Sequence, residues 1–144
     1  MLKPVLVTFD VYMALLDIEG SLAPVVGETL DLSRDAATSF VRTWRAKQME
    51  RAAISNSLDG PRTSFRDATA MGLDYVAARS GIAISPDTRN ALILAWDDMK
   101  PWPEADETVA AVKNAGCQTA ILSNGDQDML EAVARHFAAG FDHV

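Results

Sequence analysis

Residues 4–17 read PVLVTFDVYMALLD. The run Pro4–Phe9 is short, apolar and rich in β-branched residues, which suits a strand buried on both faces. It stops at Asp10, so a carboxylate stands at the strand's carboxyl end, and two residues later the chain carries Tyr12 where a second acid would complete a D-x-D pair. A second run of the same kind, Thr119–Leu122, ends in Ser123-Asn124-Gly125. Parallel sheets of α/β proteins gather their chemistry where the carboxyl ends of neighbouring strands meet. The two polar segments are therefore read together as one candidate site.

Between the two runs the patterns are helical. Ser33 is placed to cap a long helix in which Phe40, Val41, Trp44, Gln48 and Ala52 recur every three or four residues, ending near Asp59-Gly60-Pro61. Thr63 is expected to cap a second helix with Ala68, Met71, Tyr75 and Val76 on its apolar side and Gly81 at its end, and Ser85-Pro86 opens a third. A helix through Val109 and Val112 closes at Gly116, another presents Met129, Leu130, Val133 and Phe137 inward, and Phe141–Val144 begins a third strand. This order predicts a parallel α/β core, residues 1–16 and 100–144, whose first crossover is expanded into a helical insertion, residues 17–99.

Composition narrows the function classes. The chain has 144 residues, 49% of them hydrophobic and 23% charged, as expected of one globular core. No apolar run reaches the length of a membrane span and no cleavable leader is visible, so no membrane role and a cytoplasmic location are expected. A net charge of −7 without a basic cluster opposes nucleic acid as a partner. The lone Cys117 reads as a small buried strand residue, and His136 and His143 have no carboxylate or cysteine at metal-binding spacing.

FDVYMALLD at the first strand, WRAKQME on the long helix, SFRDATAMGLDYV on the next, and AILSNG at the second strand together resemble the L-2-haloacid dehalogenases of the haloacid dehalogenase superfamily. The likeness implies an α/β fold, a haloacid-dehalogenase-like Rossmann-type core with an inserted helical cap. It also implies hydrolytic, metal-independent dehalogenation of small halogenated carboxylic acids through an aspartyl ester, with no cofactor. By the same resemblance Asp10 is the nucleophile and Arg45, in the W-R-x-K-Q motif with Trp44, Lys47 and Gln48, receives the departing halide. Ser123 and the Asn124 amide, at a strand end feeding a helix, are placed to bind the substrate carboxylate by the donor and dipole logic that suits phosphates, while by the resemblance Met49 and Phe65 line the apolar wall. Tyr12 acquires a chemical meaning here: phosphatases of the superfamily resemble this chain but use an acid at that place to protonate an alcohol, and a halide leaves as a weak base that needs no such proton.

Each assignment has a plainer counterpart. Asp10 also fits a loop acid, Arg45 a solvated surface arginine, Ser123-Asn124 a simple turn. Met49 and Phe65 fit a helix core equally well. The chain departs from the family in having Met13-Ala14 where Gly-Thr is usual, and the family continues past the position of Val144 to a lysine, an asparagine and an aspartate of its active site. On that ground the resemblance covers the N-terminal two thirds, and the fold is expected to be C-terminally incomplete. The 144-residue chain alone is then expected to be inactive, either a piece of a longer chain or one that gains a partner by forming a homodimer or binding the missing segment. The alternatives are a non-catalytic remnant of such an enzyme and, opposed by Tyr12, a magnesium-dependent phosphatase.

Overall fold

The computed structural model describes residues 5–144, so Pro4, expected in the first strand, lies outside the described residues. Contacts divide the chain into two compact units, one formed by the described residues up to Ile18 together with Asp97–Val144, the other by Glu19–Trp96.

The first unit is built on two parallel strands, β1 (Leu6–Phe9) and β2 (Gln118–Ile121), with Leu6 opposite Gln118 and Phe9 opposite Ile121. One more bond follows at the carboxyl end, where Leu122 N donates to Phe9 O at 2.9 Å. The expectation that β1 is buried on both faces is not met: its residues alternate between exposed and half-buried, with Leu6 47% exposed. In β2, by contrast, Thr119, Ala120 and Ile121 are buried. The difference follows from position, because β2 has neighbours on both sides while β1, among the described residues, pairs with β2 alone. Cys117, expected inside the second strand, precedes it and is half-buried.

The third strand expected at Phe141–Val144 is reduced to a single parallel bridge between Ala120 and His143. A polar knot holds this segment in place. Thr119 N and Thr119 Oγ1 donate to Asp142 Oδ2 at 2.8 and 3.0 Å, and Lys113 Nζ lies 3.2 Å from Asp142 Oδ1. The Thr119 amide first, then Lys113 and the Thr119 hydroxyl, hold the Asp142 carboxyl below its ordinary pKa. Helices α5 (Ala105–Asn114) and α6 (Gln127–Ala134) supply the unit's core with Val109, Met129 and Val133, each fully buried, and Phe137 follows α6 into it. Gly116, at φ 83°, turns the chain from α5 into β2 in a conformation that other residues rarely take.

The second unit consists of α1 (Ile18–Leu30, whose first residue belongs to the other unit), α2 (Arg34–Ser57), α3 (Phe65–Ser80) and α4 (Pro86–Leu94), followed by a 3₁₀ turn at Ala95–Asp98 whose last two residues belong to the other unit. Helix α1 is invisible to periodicity because Gly20, Pro24 and Gly27 interrupt it. Ser33 and Ser85 cap α2 and α4 as expected, each accepting from the amide three residues on, but the cap of α3 is Ser64, not Thr63. The buried stripe of α3 also differs from expectation. Phe65, Ala68, Thr69, Gly72, Leu73, Val76 and Ala77 face inward, while Met71 is 48% exposed and Tyr75 half-exposed. A helical pitch of 3.6 residues carries a face through 65, 68, 69, 72 and 76, and Met71 falls off it.

Helix α2 is buried only over its first part, at Ala37, Phe40, Val41, Trp44 and Gln48. Ion pairs Arg42–Glu19 and Arg89–Asp74, at 2.7 and 2.6 Å, are exposed, so solvent screening leaves them little weight in holding the unit together. Among the described residues no helix is long and apolar enough to cross a membrane.

Candidate active site

The register of the two strands decides what meets at their carboxyl ends. With Phe9 opposite Ile121, the residues that leave the sheet next are Asp10 on one strand and Leu122-Ser123 on the other. Ser123 Oγ donates to Asp10 Oδ1 at 2.9 Å. The Asp10 carboxylate is exposed to solvent, and the hydroxyl engages one of its two oxygens. Asn124 is exposed on the same turn, three residues before α6 begins at Gln127.

Tyr12 is buried, at 4% exposure, and its ring rests against this turn. A Cβ at Gly125 would lie 2.7 Å from Leu130 Cδ2 and 2.9 Å from Tyr12 Cε2. A glycine is thus needed for close approach: it lets the Tyr12 ring and α6 both close on the turn. Beyond Tyr12 the chain folds back, with Leu15 N and Leu16 N both donating to Val11 O. Met13 sits in this turn at φ 68° with its side chain 64% exposed, in the left-handed region that costs a non-glycine residue energy. Its carbonyl accepts from Trp102 Nε1 at 3.1 Å, and Trp102 N donates to Leu15 O at 2.9 Å, so the turn is strapped to the segment after Pro101.

The other candidates lie on the helical unit. Arg45 and Gln48 are one turn apart on α2, and Arg45 Nη1 donates to Gln48 Oε1 at 2.5 Å. The Arg45 guanidinium carbon is 5.8 Å from the centre of the Phe65 ring and 6.0 Å from that of Trp96, which gives the cation two aromatic faces. Phe65 is buried at the start of α3, whereas Met49, adjacent to Gln48 in sequence, is 41% exposed. The structure therefore brings Arg45, Gln48 and Phe65 together, and separately Asp10, Tyr12 and Ser123. His136 Nε2 lies 3.1 Å from Asp97 O, and among the described residues no three His, Cys, Asp or Glu side chains cluster as a metal site would require.

The model of the haloacid dehalogenase-like hydrolase family matches residues 6–144. The chain belongs to the haloacid dehalogenase-like hydrolases. It is 32% identical over 127 residues to (S)-2-haloacid dehalogenase 1 of Pseudomonas sp. (strain CBS-3), covering 88% of this chain and 54% of that protein. To the (S)-2-haloacid dehalogenase of Pseudomonas sp. (strain YL) it is 29% identical over 140 residues, 96% of this chain and 58% of that one. The L-2-haloacid dehalogenase of Xanthobacter autotrophicus, solved with chloropropionic acid covalently bound, superposes with a TM-score of 0.84 at 25% identity over 99% of this chain and 56% of that structure. The chain thus spans little more than half the length of these relatives.

Two residues to which the motifs of this haloacid dehalogenase-like chain assign no role belong to the Arg45 surroundings. Thr69 accepts from Gln48 Nε2 at 2.5 Å, and Trp96 forms the second aromatic face. A signal for Thr69 was available: it follows Phe65 by four residues and shares its helix face. Trp96 lies in a 3₁₀ turn, where no periodicity points to it.

Proposed function

We infer that the protein carrying this sequence hydrolyses small 2-haloalkanoic acids through an ester on Asp10. In the first step an oxygen of the Asp10 carboxylate attacks C2 of the substrate from the side opposite the halogen. The carbon–oxygen bond forms as the carbon–halogen bond breaks, and the bonding pair leaves with the halide. In the second step water adds to the Asp10 carboxyl carbon, one of its protons passes to the departing oxygen and the other to solvent, the 2-hydroxy acid leaves with inverted configuration, and the aspartate is restored. Ser123, donating to Oδ1, orients the nucleophile and leaves Oδ2 for attack.

Tyr12 supplies no carboxylic acid, and this chemistry needs none, because a halide leaves unprotonated. The backbone around Asn124 is assigned to the substrate carboxylate, Arg45 with Gln48 to the halide, and Phe65 and Met49 to apolar contact with the substrate. We assign the helical unit the part of a cap inserted after the first strand. The observation that carries the reading is the Ser123–Asp10 hydrogen bond at two paired strand ends, with Tyr12 packed beside it. The likeness to (S)-2-haloacid dehalogenases lends it support.

The test is a single turnover of L-2-chloropropionate in ¹⁸O-labelled water containing EDTA, using the natural protein that carries this sequence. The expected result is chloride release with the label in the Asp10 carboxylate, and none of either in Asp10→Asn. Label found only in the product would replace the ester with direct attack by water. Activity abolished by EDTA and restored by magnesium would move the chain to phosphatase-type chemistry.

A further inference from the structure

The helical unit contains a chain of hydrogen bonds whose direction is dictated by its two ends. Arginine has donors only, and a backbone carbonyl only accepts. Between Arg45 and the carbonyl of Phe65 stand Gln48 and Thr69, both fully buried. Arg45 Nη1 donates to Gln48 Oε1, Gln48 Nε2 donates to Thr69 Oγ1, and Thr69 Oγ1 donates to Phe65 O at 2.8 Å. A reversed Gln48 amide would set its NH₂ group against a guanidinium, donor against donor. The orientation of Gln48 therefore depends on having an acceptor at Thr69. Thr69 is itself held from the other side, because Trp44 Nε1 donates to its carbonyl at 2.7 Å.

We propose that Thr69 is a positioning residue for Arg45: its hydroxyl fixes the Gln48 amide, and that amide fixes the guanidinium in the pose in which it receives an anion. The identity of that anion, a halide, rests on the function proposed above, whereas the relay itself does not. A threonine that merely bonds back to the carbonyl four residues earlier is a common helix feature. What sets Thr69 apart is the buried glutamine amide that it accepts from, and the arginine beyond it.

Iodide titration at constant ionic strength separates these roles, with tryptophan fluorescence as the signal. Trp44 and Trp96 are fully buried, so collisional quenching falls mainly on half-buried Trp102 and grows without saturating. An iodide held by Arg45 adds a saturable component through Trp96, 6.0 Å from the guanidinium carbon. Thr69→Val should raise the iodide midpoint about tenfold, since a buried amide left without its acceptor turns away from the arginine. Thr69→Ser, which keeps the hydroxyl, should stay within about twofold of the parent. Should Thr69→Val fail to fold, Thr69→Ala removes the same hydroxyl without adding a methyl. An unchanged midpoint in a folded variant lacking the hydroxyl overturns the proposal.

Side-chain NMR decides the relay independently of any halide. In the Thr69→Val protein the Gln48 amide protons should exchange faster and the Arg45 Nε–H signal should shift; identical spectra would overturn the proposal. A parent protein with no saturable quenching but with those NMR changes keeps the relay and removes the halide assignment of Arg45.

Discussion

Gly72→Ala tests how closely α3 approaches the helix that carries Arg45. In an open helix interior this change is favourable, by about 1 kcal/mol, because alanine has the higher helix propensity. Here the new Cβ would lie 3.0 Å from Trp44 Cδ1 and 3.1 Å from both Gln48 N and Trp44 O, several tenths of an ångström inside ordinary contact. None of the three can yield alone. Two are backbone atoms of α2, and the Trp44 indole is pinned by its bond to Thr69 O and by the edge of Trp96, with ring centres 5.4 Å apart. Relief requires the two helices to part, an overpacking cost of about 1–3 kcal/mol. Taking about 2 kcal/mol for that cost and subtracting the gain of about 1, the variant should lose about 1 kcal/mol.

Gly27→Ala is the matched control in the same unit, since its Cβ would meet one backbone atom at 3.3 Å and otherwise ordinary contact. It should be neutral or stabilising by up to about 0.5 kcal/mol. Urea unfolding followed by far-UV circular dichroism reads both, with an unchanged slope marking a true stability change. A Gly72→Ala protein as stable as the parent, or a Gly27→Ala protein equally damaged, would refute the reasoning from contact distances.

Further outcomes follow from the strained turn and the polar knot. Met13→Gly should stabilise by about 0.5 kcal/mol, relief of the left-handed strain exceeding the entropy that glycine adds to the unfolded chain. Met13→Ile should lose at least about 1 kcal/mol, as a β-branched residue tolerates positive φ least; urea midpoints in the reverse order would reject the strain. The depressed Asp142 pKa contributes stability that is fully present above the ordinary carboxylate value of about 3.9 and is lost as pH falls through the lower folded value. Asp142→Asn should therefore flatten that part of the acid limb in pH-dependent unfolding, and an acid limb identical to the parent's would count against the knot. Arg45→Lys should lose the saturable iodide response while keeping its unfolding free energy within about 0.5 kcal/mol of the parent's, because an ammonium cannot reproduce a planar fork.

What could be read from the sequence was whatever chemistry and periodicity write locally. Asp10 and Ser123 each follow an apolar β-branched run, so their meeting at paired strand ends needed only the parallel arrangement. Ser33 and Ser85 announce their helices by position. Helix α1 was hidden because Gly20, Pro24 and Gly27 oppose the conformation that tertiary packing imposes. The partial exposure of β1 was equally hidden, since Leu6-Val7-Thr8-Phe9 looks the same whether or not a neighbour covers it. Met71 and Tyr75 lie off the buried stripe expected of them because apolar character alone does not choose between two adjoining faces of a helix. Thr69 shares the helix face of Phe65, but that placement does not show what its hydroxyl bonds across the helix pair, and only the buried Gln48 amide makes the hydroxyl matter.

The uneven burial of α2 gives the helix a mechanical division. Up to Gln48 every turn is anchored by a buried side chain, and from Met49 to Ser57 none is, with Met49 and Ile54 41% and 42% exposed. Hydrogen exchange should accordingly divide within one continuous helix, slow amides up to Gln48 and fast ones after it. Arg45 and Gln48 stand on the last anchored turn. The tail can therefore fray and reform on a fast timescale beside a guanidinium that stays still, so that movement of the helix end and a fixed pose of Arg45 are compatible in a single element.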